Sequence, residues 1–350
     1  MVDNQIQKKE GGTSSELERW VKRYLTSLVV ERGASELTKR NYEFYLTRFL
    51  AYSKLTKPSD ITLDDVRDFR LYLNQQLNNR GERLTKSTQN YHLIALRSFL
   101  KYLAKNDVTT LAPEKIELAK TSERQVNFIE GDDLERLLEA PLKTKEPEII
   151  KLRDKAILEL LFSTGLRVSE LSRLSRDELN LNKDEFTVRG KGGKYRVVFL
   201  SNHARHFIGE YLNARRDDHK ALFIRHDHAA ARSSEINELI PLEATKNKVR
   251  TQYSSHSISQ RGLLTGLTPR SIQRLVAMYA KLAGVNKRIT PHTLRHSYAT
   301  DLLINGADIR SVQAMLGHAS ITTTQIYTHV TNQQLRDVYK AFHGRRRRSK

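Results

Sequence analysis

The hydrophobic positions of the first hundred residues recur at helical spacing. Between Leu17 and Asp107 they fall three or four residues apart and are interrupted by turn residues, which predicts a series of amphipathic helices. Thr62, with Asp65 three residues on, resembles a capping box and predicts a helix start. The apolar positions assigned to helix faces are Tyr42, Tyr45, Leu46, Phe49 and Leu50, then Val66, Phe69, Leu73 and Leu77, then Leu93, Leu96, Leu100 and Leu103. We therefore expect a small four-helix domain over 15–107, after a flexible polar tail at 1–14.

A second domain is predicted over 128–350. The preceding segment, 108–127, has no sustained apolar period and is interpreted as an interdomain linker. Asp132 and Glu135 suggest another capping-box-like helix start. The stretch 149–179 is helical in period but interrupted at Gly165, and Thr268-Pro269 is typical of a helix start with proline in the first turn.

One short stretch of the second domain changes to an alternating period. Phe186 and Val188 alternate, glycines follow in the sequence GKGGK, and Val197 and Phe199 alternate on the return. This pattern predicts a β-hairpin with Lys191 at its tip. The predicted fold is thus mainly α, with two domains: an N-terminal helical domain and a helical C-terminal domain that contains a small antiparallel sheet.

The charge of the chain predicts a polyanionic partner. Lysine and arginine total 60 against 40 acidic residues, giving a formal charge of +20. Such an excess favours nucleic acid over a membrane surface, although a merely basic surface is the alternative. Four basic residues share the last N-terminal helix with polar side chains, and we interpret this face as a DNA-backbone surface. They are Lys86, Arg97, Lys101 and Lys105.

Cysteine and long apolar runs are both missing from the sequence. Without cysteine, disulfides and thiolate metal sites are excluded. No apolar run reaches the roughly 20 residues of a membrane span, and the polar start lacks the apolar core of a signal peptide. We therefore expect a soluble cytoplasmic protein without a membrane partner.

Five short motifs in the second domain resemble those of the tyrosine recombinases, most closely the Xer-type site-specific recombinases. The motifs are TGLRVSEL (164–171), GKGGK (190–194), HTLRH (292–296), LGH (316–318) and IYTHV (326–330). The resemblance extends over about 17–342. Two stretches depart from it: the polar segment Asp227–Leu267 is longer than in compact Xer proteins, and the tail Arg345–Arg348 is more basic.

The resemblance implies a complete catalytic set. By position, Arg167 and Arg295 would clamp the phosphate, Lys191 would be the hairpin lysine, and Tyr327 would be the nucleophile. The two active-site histidines would be His292 and His318. The N-terminal domain would be a SAM-like core-binding domain that contacts a double-stranded recombination site. The working unit would be a homo- or hetero-tetramer on two duplexes, with a C-terminal helix from about Thr331 docking in trans and a regulatory protein as a further partner.

Elementary chemistry supports these roles. Attack of a tyrosine oxygen on a phosphodiester builds negative charge on the non-bridging oxygens, which two guanidiniums can hold. The departing 5′-oxygen requires a proton, which Lys191 could supply, while His292 could accept the tyrosine proton and His318 could bond the phosphate. Because the 3′-phosphotyrosyl product keeps the energy of the phosphodiester, no ATP is expected, and because the two guanidiniums hold the charge, no metal cofactor is expected. The chain accordingly lacks a GxxxxGK[ST] loop.

Each residue also has a structural interpretation. Arg167 could merely pair with Glu170, Lys191 could be a solvated turn residue, and Tyr327 could belong to the core. His292 and His296 have the spacing of a zinc pair, but Thr293 stands where HExxH needs glutamate. We interpret His296 as a residue that packs or that supports the catalytic residues, and Thr322–Thr324 as a cap and turn terminus.

Three functions stay open from the sequence. The first is an Xer recombinase that resolves chromosome or plasmid dimers before cell division. The second is the integrase or transposon recombinase of a mobile element. The third is a non-catalytic DNA-binding protein or a metal nuclease.

Overall fold

The computed structural model describes residues 14–78, 81–121, 127–226, 266–318 and 320–327. The chain divides into two compact units, Met1–Glu123 and Arg124–Lys350. Both are mainly helical, and the second contains a two-stranded antiparallel sheet, so the predicted fold class is confirmed. The predictions for most of Asp227–Leu267 and for the C-terminal docking segment lie outside the described residues. In the described part of the chain, no helix is long and apolar enough to cross a membrane.

The first unit is built from four amphipathic helices. They are α1 (Glu16–Val30), α2 (Glu36–Ser53), α3 (Leu63–Gln75) and α4 (Lys86–Lys105). The predicted capping box at α3 is confirmed, because the Thr62 hydroxyl accepts from the Asp65 N–H while the Asp65 carboxylate accepts from the Thr62 N–H. These contacts satisfy backbone donors that the first turn of a helix leaves unpaired.

The apolar stripes of these helices meet in one core. Leu46, Phe49, Phe69 and Leu96 are all buried in it. Leu77 is a correction to the sequence analysis: α3 ends at Gln75, and the Leu77 side chain is 59% exposed.

The segment that the sequence predicts as a linker begins on this core. Ile116 follows a short 3₁₀ turn at Pro113–Lys115 and is buried in the core of the first unit. The side chain of Asn90 in α4 also pairs with the backbone of Ala119 through two hydrogen bonds. The first unit therefore packs residues beyond α4.

The second unit surrounds a long buried helix. Its elements are α5 (Gly131–Glu139), α6 (Glu148–Thr164), α7 (Val168–Leu171), β1 (Glu185–Arg189), β2 (Tyr195–Phe199), α8 (Asn202–Ala214), α9 (Pro269–Leu282), α10 (Pro291–Ile304), α11 (Ile309–Leu316) and α12 (Thr322–Gln325). Helix α6 packs against α8 and α10, and its residues Leu158, Leu160 and Leu161 are buried at the centre of the core. The capping-box-like start predicted from Asp132 and Glu135 is wrong, because Glu130 precedes α5 without a side-chain cap.

The hairpin forms as predicted, but the buried face of its return strand differs. Phe186 pairs with Val198 and Val188 pairs with Arg196, so these four residues share the inner face. Val198 is buried, whereas Val197 and Phe199 are each 44% exposed. The alternation of Val197 and Phe199 therefore marks the outer face of β2. The inner position that apolar periodicity could not identify is Arg196.

Candidate active site

The two arginines of the predicted clamp are held by the carboxyl ends of helices. Arg295, buried in α10, donates to the carbonyl of Gly165 after α6 and to the carbonyl of Leu316 at the end of α11. Arg167, just before α7, donates to the carbonyl of Gly317 over 3.3 Å. Helix carboxyl ends carry unpaired carbonyls and partial negative charge, which favours cations at these positions. The fold thus brings Arg167 and Arg295 together without an acidic partner for Arg295 among these contacts.

The glycine after α6 is required by this arrangement. Gly165 has φ +58°, a left-handed conformation that turns its carbonyl toward Arg295. A Cβ atom at this position would lie 2.5 Å from the ring of Tyr298, which no side chain could tolerate without movement. The interruption at Gly165 predicted from the sequence therefore has a defined purpose: it ends α6 and presents a carbonyl to the clamp.

Glu170 organises the cationic side of the site. Its carboxylate accepts two hydrogen bonds from Arg196, at 2.8 and 3.0 Å, and one from the Arg167 guanidinium at 2.9 Å. Burial alone would raise the pKa of Glu170, but the hydrogen bonds from Arg196 and from the Arg167 backbone outweigh it and lower the pKa to about 2. Glu170 therefore stays ionised and fixes Arg167 in place.

Arg196 connects three parts of the site. Besides binding Glu170 near α7, its Nε donates to the carbonyl of Met315 in α11 over 3.1 Å. Since Arg196 belongs to β2, it ties the hairpin to both helices. Lys191 lies in the 3₁₀ turn Lys191–Gly193 at the tip of this hairpin, between β1 and β2. Arg196 is thus the residue that joins the lysine-bearing hairpin to the arginine-bearing segments.

Tyr327 is buried next to the clamp. Its ring is 1% exposed and packs in a small core with Leu303, Val312 and Leu316. Its hydroxyl lies 2.6 Å from Nδ1 of His296. Burial raises the pKa of Tyr327 to about 12, while the nearby charge of Arg295 acts in the opposite direction. The phenol is therefore protonated in the free protein and hydrogen-bonded to an imidazole.

His318 follows α11 and is oriented by the segment that leads to the nucleophile. Its Nδ1 lies 3.0 Å from the hydroxyl of Thr324, which is fully buried. Burial, followed by the charges of Arg295 and Arg167, lowers the pKa of His318 to about 4. His318 is therefore neutral at pH 7. In the tautomer that carries its hydrogen on Nε2, Nδ1 accepts from the Thr324 hydroxyl and Nε2 can donate to a phosphate oxygen.

This lowered pKa predicts a specific acid sensitivity. An unfolded histidine takes up its proton near pH 6.5, whereas folded His318 does so near pH 4. Between these values the unfolded chain binds more protons, so the free energy of unfolding falls as the pH drops from 6.5 to 4. In His318→Asn, which keeps a polar atom for Thr324, this contribution disappears. Urea unfolding at both pH values should show that the free energy of unfolding falls less in His318→Asn than in wild type. The variant His206→Asn, which changes an exposed histidine, is the control. An equal fall in all three proteins would contradict the prediction.

His292 lies in the first turn of α10 and is exposed, one turn before His296. These two histidines have zinc-pair spacing, yet in the part of the chain that the structure describes no group of three or more histidine and carboxylate side chains could hold a metal ion. A catalytic zinc uses three protein ligands. His296 instead directs Nδ1 to Tyr327.

Sequence reasoning missed the roles of three residues in this site. The sequence indicates packing or support for His296 without naming its partner, a turn for Thr324, and no role for Arg196. The available signal for His296 was its position immediately after Arg295, which places it on an adjacent face of the same helix. For Arg196 the signal was its pairing with Val188, which places both residues on the inner face of the hairpin. The pairing of Arg167 with Glu170 that the sequence suggests as an alternative is present in the structure.

Comparison with known proteins places these features in context. Residues 127–334 match the Phage integrase family, and residues 21–107 match the phage integrase N-terminal SAM-like domain. Tyrosine recombinase XerD of Oceanobacillus iheyensis is 35% identical over 337 residues, covering 94% of this chain and 99% of that protein. Tyrosine recombinase XerC of Thermodesulfovibrio yellowstonii is 33% identical over 325 residues, covering 93% and 96%.

Two solved structures share the fold. The XerH site-specific recombinase bound to palindromic difH substrate, in a post-cleavage complex, has a TM-score of 0.68 at 20% identity and covers 95% of this chain and 97% of its own. The Tn1549 transposon integrase in complex with transposon right end DNA has a TM-score of 0.63 at 20% identity and covers 92% and 99%.

Proposed function

The chain belongs to the phage integrase family and is a site-specific tyrosine recombinase of Xer type, and from this premise we propose that it cuts and rejoins DNA through a covalent 3′-phosphotyrosyl bond to Tyr327. In the proposed reaction the Tyr327 oxygen attacks the scissile phosphorus and the 5′-oxygen of the next nucleotide leaves. Rejoining reverses these steps with the 5′-hydroxyl of a second strand. The number of phosphoester bonds is unchanged, so the reaction needs no ATP. The two guanidiniums can hold the charge that a metal ion would otherwise stabilise, so we propose that no metal ion is needed.

The observation that supports this function best is the convergence of Arg167, Arg295, His318 and Tyr327. The carbonyl of Leu316 accepts from Arg295 and the carbonyl of Gly317 accepts from Arg167. The next residue along the chain is His318. The Thr324 hydroxyl then links His318 to the segment that ends in Tyr327. Two guanidiniums, a neutral imidazole donor and a phenol therefore surround one position. This is the set needed to stabilise a phosphorane-like transition state next to its nucleophile.

The remaining roles follow the sequence predictions. We assign Lys191, at the hairpin tip, to the protonation of the leaving 5′-oxygen. For His292, which is exposed in the first turn of α10, the sequence predicts the role of proton acceptor, a step for which the contacts of Tyr327 favour a different residue. The exposed basic residues of α4 suit contacts with the DNA backbone, and we assign DNA binding to this face of the SAM-like domain.

The cellular role that we propose is resolution of chromosome or plasmid dimers before cell division. The relatives that are 33–36% identical over almost the whole chain are XerC and XerD proteins, which favours this role. The similarity to a transposon integrase is one of fold, at 20% identity. The proposed working unit is a cytoplasmic tetramer on two duplexes. The C-terminal segment from Thr331, which lies outside the described residues, would dock between protomers, and a regulatory protein would control the reaction.

Covalent trapping tests the function directly. Genomic fragments that the protein selects should contain its site, and a copy nicked close to the scissile phosphate should trap a protein–DNA adduct that survives denaturant. Adduct should form in EDTA and without nucleotide. A second copy with the nick moved away from the site is the control. Adduct formation only after addition of Mg²⁺ or Zn²⁺ would refute the metal-independent mechanism.

Lys191→Ala tests the assignment of the general acid. The variant should cleave ordinary DNA slowly, by about 10²–10⁴-fold. It should recover substantially on DNA whose scissile 5′-oxygen is replaced by sulfur, because a thiolate leaves without a proton. The measurement is the single-turnover cleavage rate on both substrates. Arg167→Ala is the control that sulfur should not rescue, since its defect concerns the charge at phosphorus. Equal rescue of both variants, or none for Lys191→Ala, would remove Lys191 from this role.

A further inference from the structure

The contact between His296 and Tyr327 joins an imidazole to the reacting oxygen itself. The distance from Nδ1 to the phenolic oxygen is 2.6 Å. Helix α10 holds His296 firmly, because its neighbour Arg295 is buried and bonded to two carbonyls. On the other side, the hydroxyl of Ser297 accepts from the backbone N–H of Ile129 over 2.8 Å. His296 therefore stands between two anchored residues, and its position is defined by the helix.

A hydrogen bond of this kind has two chemically distinct forms. In the first, the phenol donates to the lone pair of a neutral imidazole. In the second, a protonated Nδ1 donates to a phenolate. Transfer of one proton along the 2.6 Å bond between Tyr327 and His296 converts the first form into the second without any change of partner. The second form is an activated nucleophile beside its conjugate acid.

We propose that His296 is the base that receives the phenolic proton of Tyr327 during strand cleavage. The inference rests on the proposed function and assigns to His296 the step that the sequence gives to His292. The bond from Tyr327 oxygen to phosphorus forms as the proton moves from that oxygen to Nδ1. The bond from phosphorus to the 5′-oxygen breaks as that oxygen takes a proton from Lys191. In the rejoining step His296 returns its proton to Tyr327.

The surrounding charges couple this transfer to DNA binding. Arg295 from α10, Arg167 before α7 and Arg196 from β2 face the cluster, together with neutral His318 after α11 and ionised Glu170. Three guanidiniums against one carboxylate give this group of side chains a net positive charge before DNA binds. A phosphate placed between Arg167 and Arg295 adds negative charge and so favours the imidazolium. Burial raises the pKa of Tyr327, so the bound phosphate is what makes transfer of the phenolic proton to His296 more favourable.

The position of His292 fits a different task. Its side chain is exposed in the first turn of α10, whereas His296 is half-buried one turn further into the unit, beside the buried Tyr327 ring. A residue at the open end of the helix is placed to meet DNA from solvent. His292 is therefore suited to contact the phosphate, and His296 to contact the nucleophile.

His296→Asn separates proton transfer from positioning. Asparagine places a polar atom where Nδ1 stands, so it can keep a hydrogen bond to Tyr327 but cannot take its proton. Single-turnover cleavage of the selected, nicked DNA should fall by about 10²–10⁴-fold. The defect should diminish when a fluorinated tyrosine, whose phenol is more acidic, is incorporated at position 327. The rate of the doubly altered protein should also rise with pH, because the phenol then ionises without a base.

His292→Asn with the same fluorinated tyrosine is the matched comparison, and exposed His206→Asn controls for a change of histidine content. Rescue in His296→Asn and not in His292→Asn supports the inference. Rescue confined to His292→Asn, or a wild-type rate in unfluorinated His296→Asn, overturns it. Loss of structure is checked by DNA binding and thermal unfolding; if His296→Asn does not fold, His296→Gln replaces it, with the same rescue required. Failure of wild type to form any adduct would instead refute the proposed function.

Discussion

Tyr327→Phe is expected to bind the recombination site as wild type does and to form no covalent adduct. The change removes only the nucleophilic oxygen. The ring is 1% exposed and is held by apolar neighbours such as Leu303 and Leu316, so phenylalanine fills the same space. The lost hydrogen bond to His296 should lower the free energy of unfolding by only about 0.5–1.5 kcal/mol. Adduct is measured on denaturing gels and affinity by titration of labelled duplex.

Tyr298→Phe is the matched control for this experiment. Tyr298 lies in α10, and its hydroxyl contacts the sulfur of Met315 at 3.6 Å, so the same atom is removed close to the site but not at it. This variant should keep the adduct. A covalent complex that persists in Tyr327→Phe would place the nucleophile elsewhere, with Tyr298 and Tyr339 as the next candidates.

Arg295→Ala should abolish cleavage and also weaken the fold. Loss of a preorganised donor at the transition state costs about 3–4 kcal/mol, or roughly 10²–10³-fold in rate, and Arg295 can offer more than one N–H to the phosphate. The same substitution leaves the carbonyls of Gly165 and Leu316 without their donor. Each unpaired buried carbonyl costs about 1–3 kcal/mol. The cleavage rate and the unfolding temperature should therefore both decrease.

Arg167→Ala separates these two effects. Its side chain is 27% exposed, and Glu170 keeps both hydrogen bonds from Arg196 when Arg167 is removed. Cleavage should fall as in Arg295→Ala, while thermal stability changes little. Both variants should keep most of their affinity for duplex, because one phosphate contact contributes little to the whole interface. Binding that weakens as much as cleavage would show that the arginines act in the ground state and would contradict the clamp.

Local chemistry made much of the fold predictable from the sequence. The cap formed by Thr62 and Asp65 depends only on neighbours within a few residues, and so does the helix break at Gly165. Such local contacts can be predicted from adjacent positions in the sequence. The errors arose where distant contacts decide the outcome. The inner face of β2 takes Arg196 because Glu170, 26 residues earlier, supplies a carboxylate there. Leu77 was misassigned because its helix ends two residues before it.

The active site shows the same division. Motif chemistry identified Arg167, Arg295, His318 and Tyr327, and the structure brings them together. The role of His296 was not predictable because its contact with Tyr327 spans 31 residues and depends on how α10 and α12 pack. No pattern within HTLRH distinguishes a histidine that packs from one that meets a phenol.

The chain from His318 through Thr324 to Tyr327 has a consequence for timing. The hydrogen bond between His318 and Thr324 links the two ends of this segment to each other, and the one between His296 and Tyr327 fastens its last residue to α10. We therefore expect a shift of this segment to turn the His318 side chain and to withdraw the Tyr327 hydroxyl together. In a double-mutant cycle, Thr324→Val and His296→Asn should show a non-additive coupling energy in cleavage. Such coupling would benefit a recombinase, because a site that cuts DNA without being able to rejoin it would leave a broken strand.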